Sequence, residues 1–137
     1  MKKKLKDIFI RELEALNRLL ETLEEQHKYI VKNEVFKLEK IKSKIEEMNK
    51  GVALSEMERR KLTGEESVNE IVSRYEDEEL SMLYRDIKKV LNELKLQKET
   101  NEVLIKQELG FTTQMLNLLN PKSGTPKTYN AYGKVKR

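Results

Sequence analysis

Chemistry needs acids, bases, nucleophiles or metal ligands brought together, and few residues here qualify. His27 is the sole histidine. It stands beside Glu24, Glu25 and Lys28 in a strongly charged stretch and reads as part of a solvated helix face. Adjacent carboxylates recur at Glu24-Glu25, Glu46-Glu47, Glu65-Glu66 and Glu78-Glu79. Neighbours on a helix diverge by about 100°, so no such pair can share one reaction centre. A di-iron bundle needs two Glu-x-x-His pairs, which one histidine cannot supply. There is no cysteine, hence no disulfide, thiolate metal site or cysteine nucleophile, as suits a reducing cytoplasm. The 5 glycines are scattered and form no phosphate-binding loop. The residues point to a binding protein, not an enzyme, with no cofactor.

The elements that would carry these side chains are helices. Charged residues make up 38% of the 137, apolar ones 37%, with only 2 prolines, and no stretch alternates apolar with polar at period two. We expect an all-α chain, an elongated antiparallel coiled coil or three-helix bundle, occupying residues 1–120. A basic, disordered tail would follow over 121–137. Apolar residues at steps of three and four predict a first helix over 5–32, including Leu5, Phe9, Leu16, Leu23 and Ile30. Asn33 can cap a second helix, 34–50, seamed by Val35, Leu38, Ile41, Ile45 and Met48, with Gly51 ending it. Residues 50–66 would hold the chain reversal. Thr63 and Glu66 suggest a capping box ahead of a short helix, 65–76. The longest helix is expected over 77–119, about 65 Å at 1.5 Å per residue. Its seam turns polar at Gln97, Lys98 and Asn101, and Asn101 at a seam position would set register at a cost in stability. Asn120-Pro121 stops the helix.

Charge is unevenly distributed. The tail carries Lys122, Lys127, Lys134, Lys136 and Arg137 without an acid, which leaves the helical body close to neutral. No basic stripe for nucleic acid exists there, although the tail alone could meet RNA, anionic lipid or an acidic protein. Met1-Lys-Lys-Lys mimics a secretory n-region, but Arg11, Glu12 and Glu14 interrupt any apolar core behind it. No run approaches the ~20 apolar residues of a membrane helix.

Two features remain for binding. Phe111, Met115, Leu118 and Leu119 fall within about 100° on the last helix, and Ile105, Leu109 and Leu116 form a second stripe about 100° round. Together they approach half the circumference, more than a coiled-coil seam uses. A third helix of the same chain, a dimer mate or a client would cover the surplus. Met115 adapts to varied surfaces, and Gly110 weakens the helix by ~1 kcal/mol relative to Ala. The second feature is the tail, where Tyr129 and Tyr132 are isolated aromatic anchors.

The run Asn101-Glu-Val-Leu-Ile105, then Met115-Leu-Asn-Leu-Leu119, then Gly124-Thr-Pro-Lys-Thr-Tyr-Asn-Ala-Tyr-Gly133 resembles the FlgN family of flagellar export chaperones. Members show an Asn before a Leu-Ile pair, an aliphatic helix end, a Gly/Ser-rich stretch and a closing Thr-Tyr-Asp/Asn-x-x-Gly. Lys32-Asn-Glu-Val-Phe-Lys-Leu38 is similar to the family's second segment, with Lys32-Asn33 in place of the usual Gly-Asp. The resemblance implies a cytoplasmic chaperone for hook–filament junction proteins, the flagellar hook-associated proteins. It would shield their C-terminal helical segment from premature assembly and deliver them to the type III export gate. Carried over, Leu104, Ile105, Phe111, Met115, Leu118 and Leu119 become the client stripe and Tyr129 the gate contact. Burying ~600–800 Å² of apolar surface is worth a gross ~15–20 kcal/mol. Association and ordering remove much of that, which suits submicromolar, reversible binding. The competing reading is a structural coiled coil or adaptor without an export client, homo-oligomeric, for instance a homodimer, through the same surplus stripe.

Overall fold

The computed structural model describes residues 1–119 with their side chains, and the backbone alone at 129–130 and 133–135. Four helices account for residues 1–119: α1 (Lys2–Val31), α2 (Val35–Thr63), α3 (Val68–Tyr75) and α4 (Glu78–Leu119). By contacts, Met1–Asn101 is one compact unit and Glu102 opens a second. The expected tail, 121–137 with Tyr129 and Tyr132, lies outside the described side chains.

Within the first unit α1 packs between α2 and α4. Its seam runs Leu5, Phe9, Glu12, Leu16, Leu19, Leu23, Gln26 and Ile30, an alternation of four and three residues that keeps one face turned inward. α2 answers with Leu38, Ile41, Ile45, Met48, Val52, Ser55, Arg59 and Leu62. Ion pairs Arg11–Glu58, Glu12–Arg59 and Glu25–Lys44 fix the two helices antiparallel. α4 runs parallel to α1. At one end Lys6 meets Asp77 and Glu79, then Phe9 stacks on Tyr84 with ring centroids 6.0 Å apart. Towards the other, Asn101 reaches the Leu23 carbonyl. Leu80, Ile87, Val90 and Leu94 of α4 join Ile71 and Val72 of α3 in a core built around α1.

Several helix ends differ from the sequence expectations. Asn33 does not cap α2 but closes α1. It adopts φ 57°, its amide donates to the Ile30 carbonyl, and the Glu34 amide donates to the Tyr29 carbonyl at 2.9 Å. These two bonds form a Schellman motif, in which a left-handed Asn is the usual substitute for Gly. Gly51 does not end α2, which continues to Thr63. A mid-helix Gly costs ~1 kcal/mol, and packing of Ile45, Met48, Val52 and Leu62 against the core carries the helix through it. The reversal narrows to residues 64–67. There Gly64 takes φ 64°, a left-handed conformation that β-carbons disfavour. The expected capping box is absent. Thr63 Oγ1 instead donates back to the Arg59 carbonyl at 3.0 Å, Glu66 pairs with Arg74, and Ser67 stands at the N-cap position of α3.

Asp77 caps α4 in the manner expected of an N-cap aspartate: its Oδ1 accepts the Leu80 amide at 2.9 Å. That bond, with Lys6 and Lys2 alongside, holds its carboxyl at about 2, below the ordinary 3.8. A depressed folded value means the contribution to stability is complete above about pH 4 and is lost as pH falls towards 2. Asp77→Asn keeps an oxygen for the cap but removes the charge that Lys2 and Lys6 pair with. Urea denaturation of both proteins should show the wild type ahead at pH 5–7 and the gap closing between about pH 4 and 2. A gap independent of pH would exclude the ion pairs as its cause.

Candidate apolar binding surface

α4 carries two different seams along one continuous helix. From Leu80 to Asn101 the inward positions are Leu80, Leu83, Ile87, Val90, Leu94, Gln97 and Asn101, and most are buried. The same register continues as Leu104, Glu108, Phe111, Met115 and Leu118, and there the burial stops. Leu104 and Ile105 are half-buried. Phe111 is 61% exposed, Leu118 77% and Leu119 77%, proportions that leave most of each in water, and Met115 is 41% exposed. Leu109 and Leu116, on the neighbouring stripe, are 64% and 60% exposed. The residues expected to bind a client therefore share one helix face whose larger members lie open. Contiguous apolar surface of this kind marks interaction sites in soluble proteins.

Charge is absent from the last three turns of this surface. No ionisable residue occurs from Leu109 to Leu119, in a chain of which 38% is charged. Glu108 is the one acid at a seam position of this segment. Gly110 lies on the opposite side of the helix, and a β-carbon there would meet nothing within 4 Å.

Asn101 ends the buried part of the seam and is 1% exposed. Its Nδ2 donates to the Leu23 carbonyl at 2.8 Å and to Gln26 Oε1 at 2.9 Å, and its Oδ1 accepts from Gln97 Nε2 at 3.0 Å. An apolar neighbour could satisfy none of these groups, so the arrangement fixes which turn of α1 faces which turn of α4. His27 belongs to this cluster, with Nδ1 3.3 Å from Asn101 Oδ1 and 3.3 Å from Gln97 Nε2. The expectation of a surface histidine is thus corrected. It is half-buried because Asn101 and Gln97 reach it from α4, a contact that its charged sequence neighbours do not disclose.

A second buried polar feature escaped the sequence reading. Glu12 is 3% exposed, and Arg59 Nε donates to both its carboxylate oxygens, at 3.2 and 3.4 Å. Burial pushes the Glu12 carboxyl up from its ordinary value, and Arg59 draws it part of the way back. Both residues occupy seam positions of their helices, where the pair replaces two hydrophobes.

Among the described residues, no helix is long and apolar enough to cross a membrane, and no cluster of His, Asp and Glu could hold a metal ion. Comparison with curated proteins yields no match, and comparison with solved structures likewise yields none. The family model described as FlgN protein matches residues 1–137. The chain, helical over its first 119 residues with an open apolar end on α4 and matched over its whole length, belongs to the FlgN family of flagellar export chaperones.

Proposed function

We propose that this chain is a cytoplasmic export chaperone for hook–filament junction proteins. It binds their C-terminal helical segment, prevents premature assembly and delivers them to the type III export gate. The observation that carries this reading is the apolar face of α4 over residues 104–119, exposed from Leu109 onward and without an ionisable residue from Leu109 to Leu119. An amphipathic client segment laid on Leu104, Ile105, Phe111, Met115, Leu118 and Leu119 would remove that face from water, a helix-in-groove contact read by anchors at helical spacing. No bond is made or broken, so the reading needs neither catalyst nor cofactor. A pulldown with a junction protein of the same organism tests it. The full-length client should be retained as a 1:1 complex and the client lacking its C-terminal segment lost. Undiminished capture of the truncated client would overturn the reading.

The same proposal gives Tyr129 the gate contact. An isolated tyrosine offers a large, rotor-poor contact area, and it lies apart in sequence from the client stripe. Tyr129→Ala should leave client affinity within about twofold while weakening binding of the client-loaded chaperone to the export gate by about tenfold or more, about 1.4 kcal/mol. Equal gate binding by both proteins would remove Tyr129 from that role.

A further inference from the structure

The near-neutral sum over the helical body conceals a basic pole. Residues 28–44, the end of α1 and the start of α2, hold six lysines against two glutamates. Phe36 stands among them, 87% exposed, the highest value of any large hydrophobic among the described residues. This corner belongs wholly to the first unit.

Two adjoining hollows open there. One, about 340 Å³, is lined by Asn33, Glu34, Val35, Phe36 and Lys37. The other, about 330 Å³, is lined by Glu25, Tyr29, Lys37, Lys40, Ile41 and Lys44. Lys37 borders both. Around α2 at 100° per residue, Phe36, Lys37, Lys40 and Lys44 fall within about 100° of one another. One flank therefore presents an apolar knob followed by three cations, over about 12 Å of helix. Glu47, on the same flank beyond Lys44, ends the run.

These cations are free to change partners. Lys37 meets Glu34 and Lys44 meets Glu25, but both lysine side chains are more than half exposed, and exposed pairs of this kind are broken at little cost. Lys40 has no acid three or four residues away, and among the described residues it meets no carboxylate, whereas Lys42 takes Glu39.

We propose that this corner docks an acidic segment of a partner protein. The segment places one bulky aliphatic or aromatic side chain beside Phe36 and spreads two or three carboxylates along Lys37, Lys40 and Lys44. The cations span about four residues of an extended partner chain or two turns of a helical one. Charge complementarity selects this occupant. The chain's own tail, with five cations and no acid, would be repelled. The end of α4 in a second copy offers no carboxylate from Leu109 to Leu119. Lys37 lies over the Tyr29 ring, 5.7 Å from its centroid, so that ring cannot stack on a nucleic-acid base. Paired hollows suit a polypeptide better than a flat bilayer. The site is separate in sequence from the client stripe, and its test needs no client.

The probe is fluorescently labelled acetyl-Leu-Leu-Glu-Glu-Asp-Glu amide, followed by anisotropy as the full chain is added. It should bind, and severalfold less well as salt rises from about 0.05 M to about 0.5 M. Phe36→Ser and Lys40→Glu/Lys44→Glu should each weaken binding by about tenfold or more, with helix content unchanged by circular dichroism because these side chains are exposed. The charge-reversed variant should instead take up the peptide in which lysines replace the acids, a gain that loss of structure could not produce. Equal binding of the acidic peptide by wild type and both variants would assign it to the basic tail and overturn the docking site. Failure of the wild type to bind the peptide would overturn it too. If phosphatidylglycerol vesicles were then retained by the wild type and lost by both variants, the flank would be a lipid contact instead.

Discussion

Phe111→Glu/Met115→Glu is expected to weaken client binding about a thousandfold while leaving helix content unchanged. Burial of each side chain is worth about 1.5–3 kcal/mol, and every 1.4 kcal/mol is a factor of ten in affinity. The glutamates add the cost of desolvating a charge on a surface that offers it no partner. Stability should move little, because Phe111 is 61% and Met115 41% exposed in the free chain, so neither supports the fold. Calorimetric titration with a junction protein checks the affinity, and circular dichroism with thermal melting checks the fold. A variant that unfolds would show these side chains to be core. One that binds normally would show the client to dock elsewhere.

The largest expected effect on stability falls in the first unit, at the Glu12–Arg59 pair. Arg59→Ala should destabilise the chain by about 3 kcal/mol or more, since it strands a buried carboxylate without its partner. The penalty should shrink on acidification. Burial already raises the Glu12 carboxyl, so native Glu12 binds its proton at a higher pH than the unfolded chain does. Stability attributable to this group is therefore gained as pH falls through the raised folded value towards the ordinary 4.5, and is lost as pH rises. Removing Arg59 raises the folded value further and widens that window. Arg59 and, more weakly, Glu56 are the charged groups that act on it. Glu12→Leu/Arg59→Met, which restores hydrophobes to both seam positions, should match or exceed wild-type stability. Urea denaturation from pH 4.5 to 8 checks all three proteins. A mild, pH-independent effect of Arg59→Ala would show that water, not the guanidinium, serves the Glu12 carboxylate.

The same pair explains where the sequence was hardest to read. α1 was legible because Leu5, Phe9, Leu16, Leu19, Leu23 and Ile30 keep the four-three period around the single charge at Glu12. In α2 the period after Met48 and Val52 passes through Ser55 and Arg59, so it vanishes from any hydrophobic pattern. Leu54 and Met57, apolar residues of this stretch, are 63% and 54% exposed and lie off the seam. Gly51 then looked like a stop. The signal that could have recovered α2 was the opposite charge at Glu12 and Arg59 on facing seams, visible only once the antiparallel pairing is assumed. Asn33 was misread for a different reason. Asn serves equally as an N-cap and as a left-handed helix terminator, and only the backbone bonds from Asn33 and Glu34 to α1 decide. His27 depends on partners 70 or more residues away, beyond any local pattern. The apolar end of α4 was legible because its excess is a property of one helix and needs no knowledge of the rest.

Amide hydrogen exchange of the free chain against the saturated complex with a junction protein tests the client surface most directly. Protection gained on binding should concentrate in residues 102–119, with the amides of α1, α2 and α3 exchanging as before. Unchanged exchange across 102–119, with protection appearing on the first three helices instead, would contradict a client site on the end of α4.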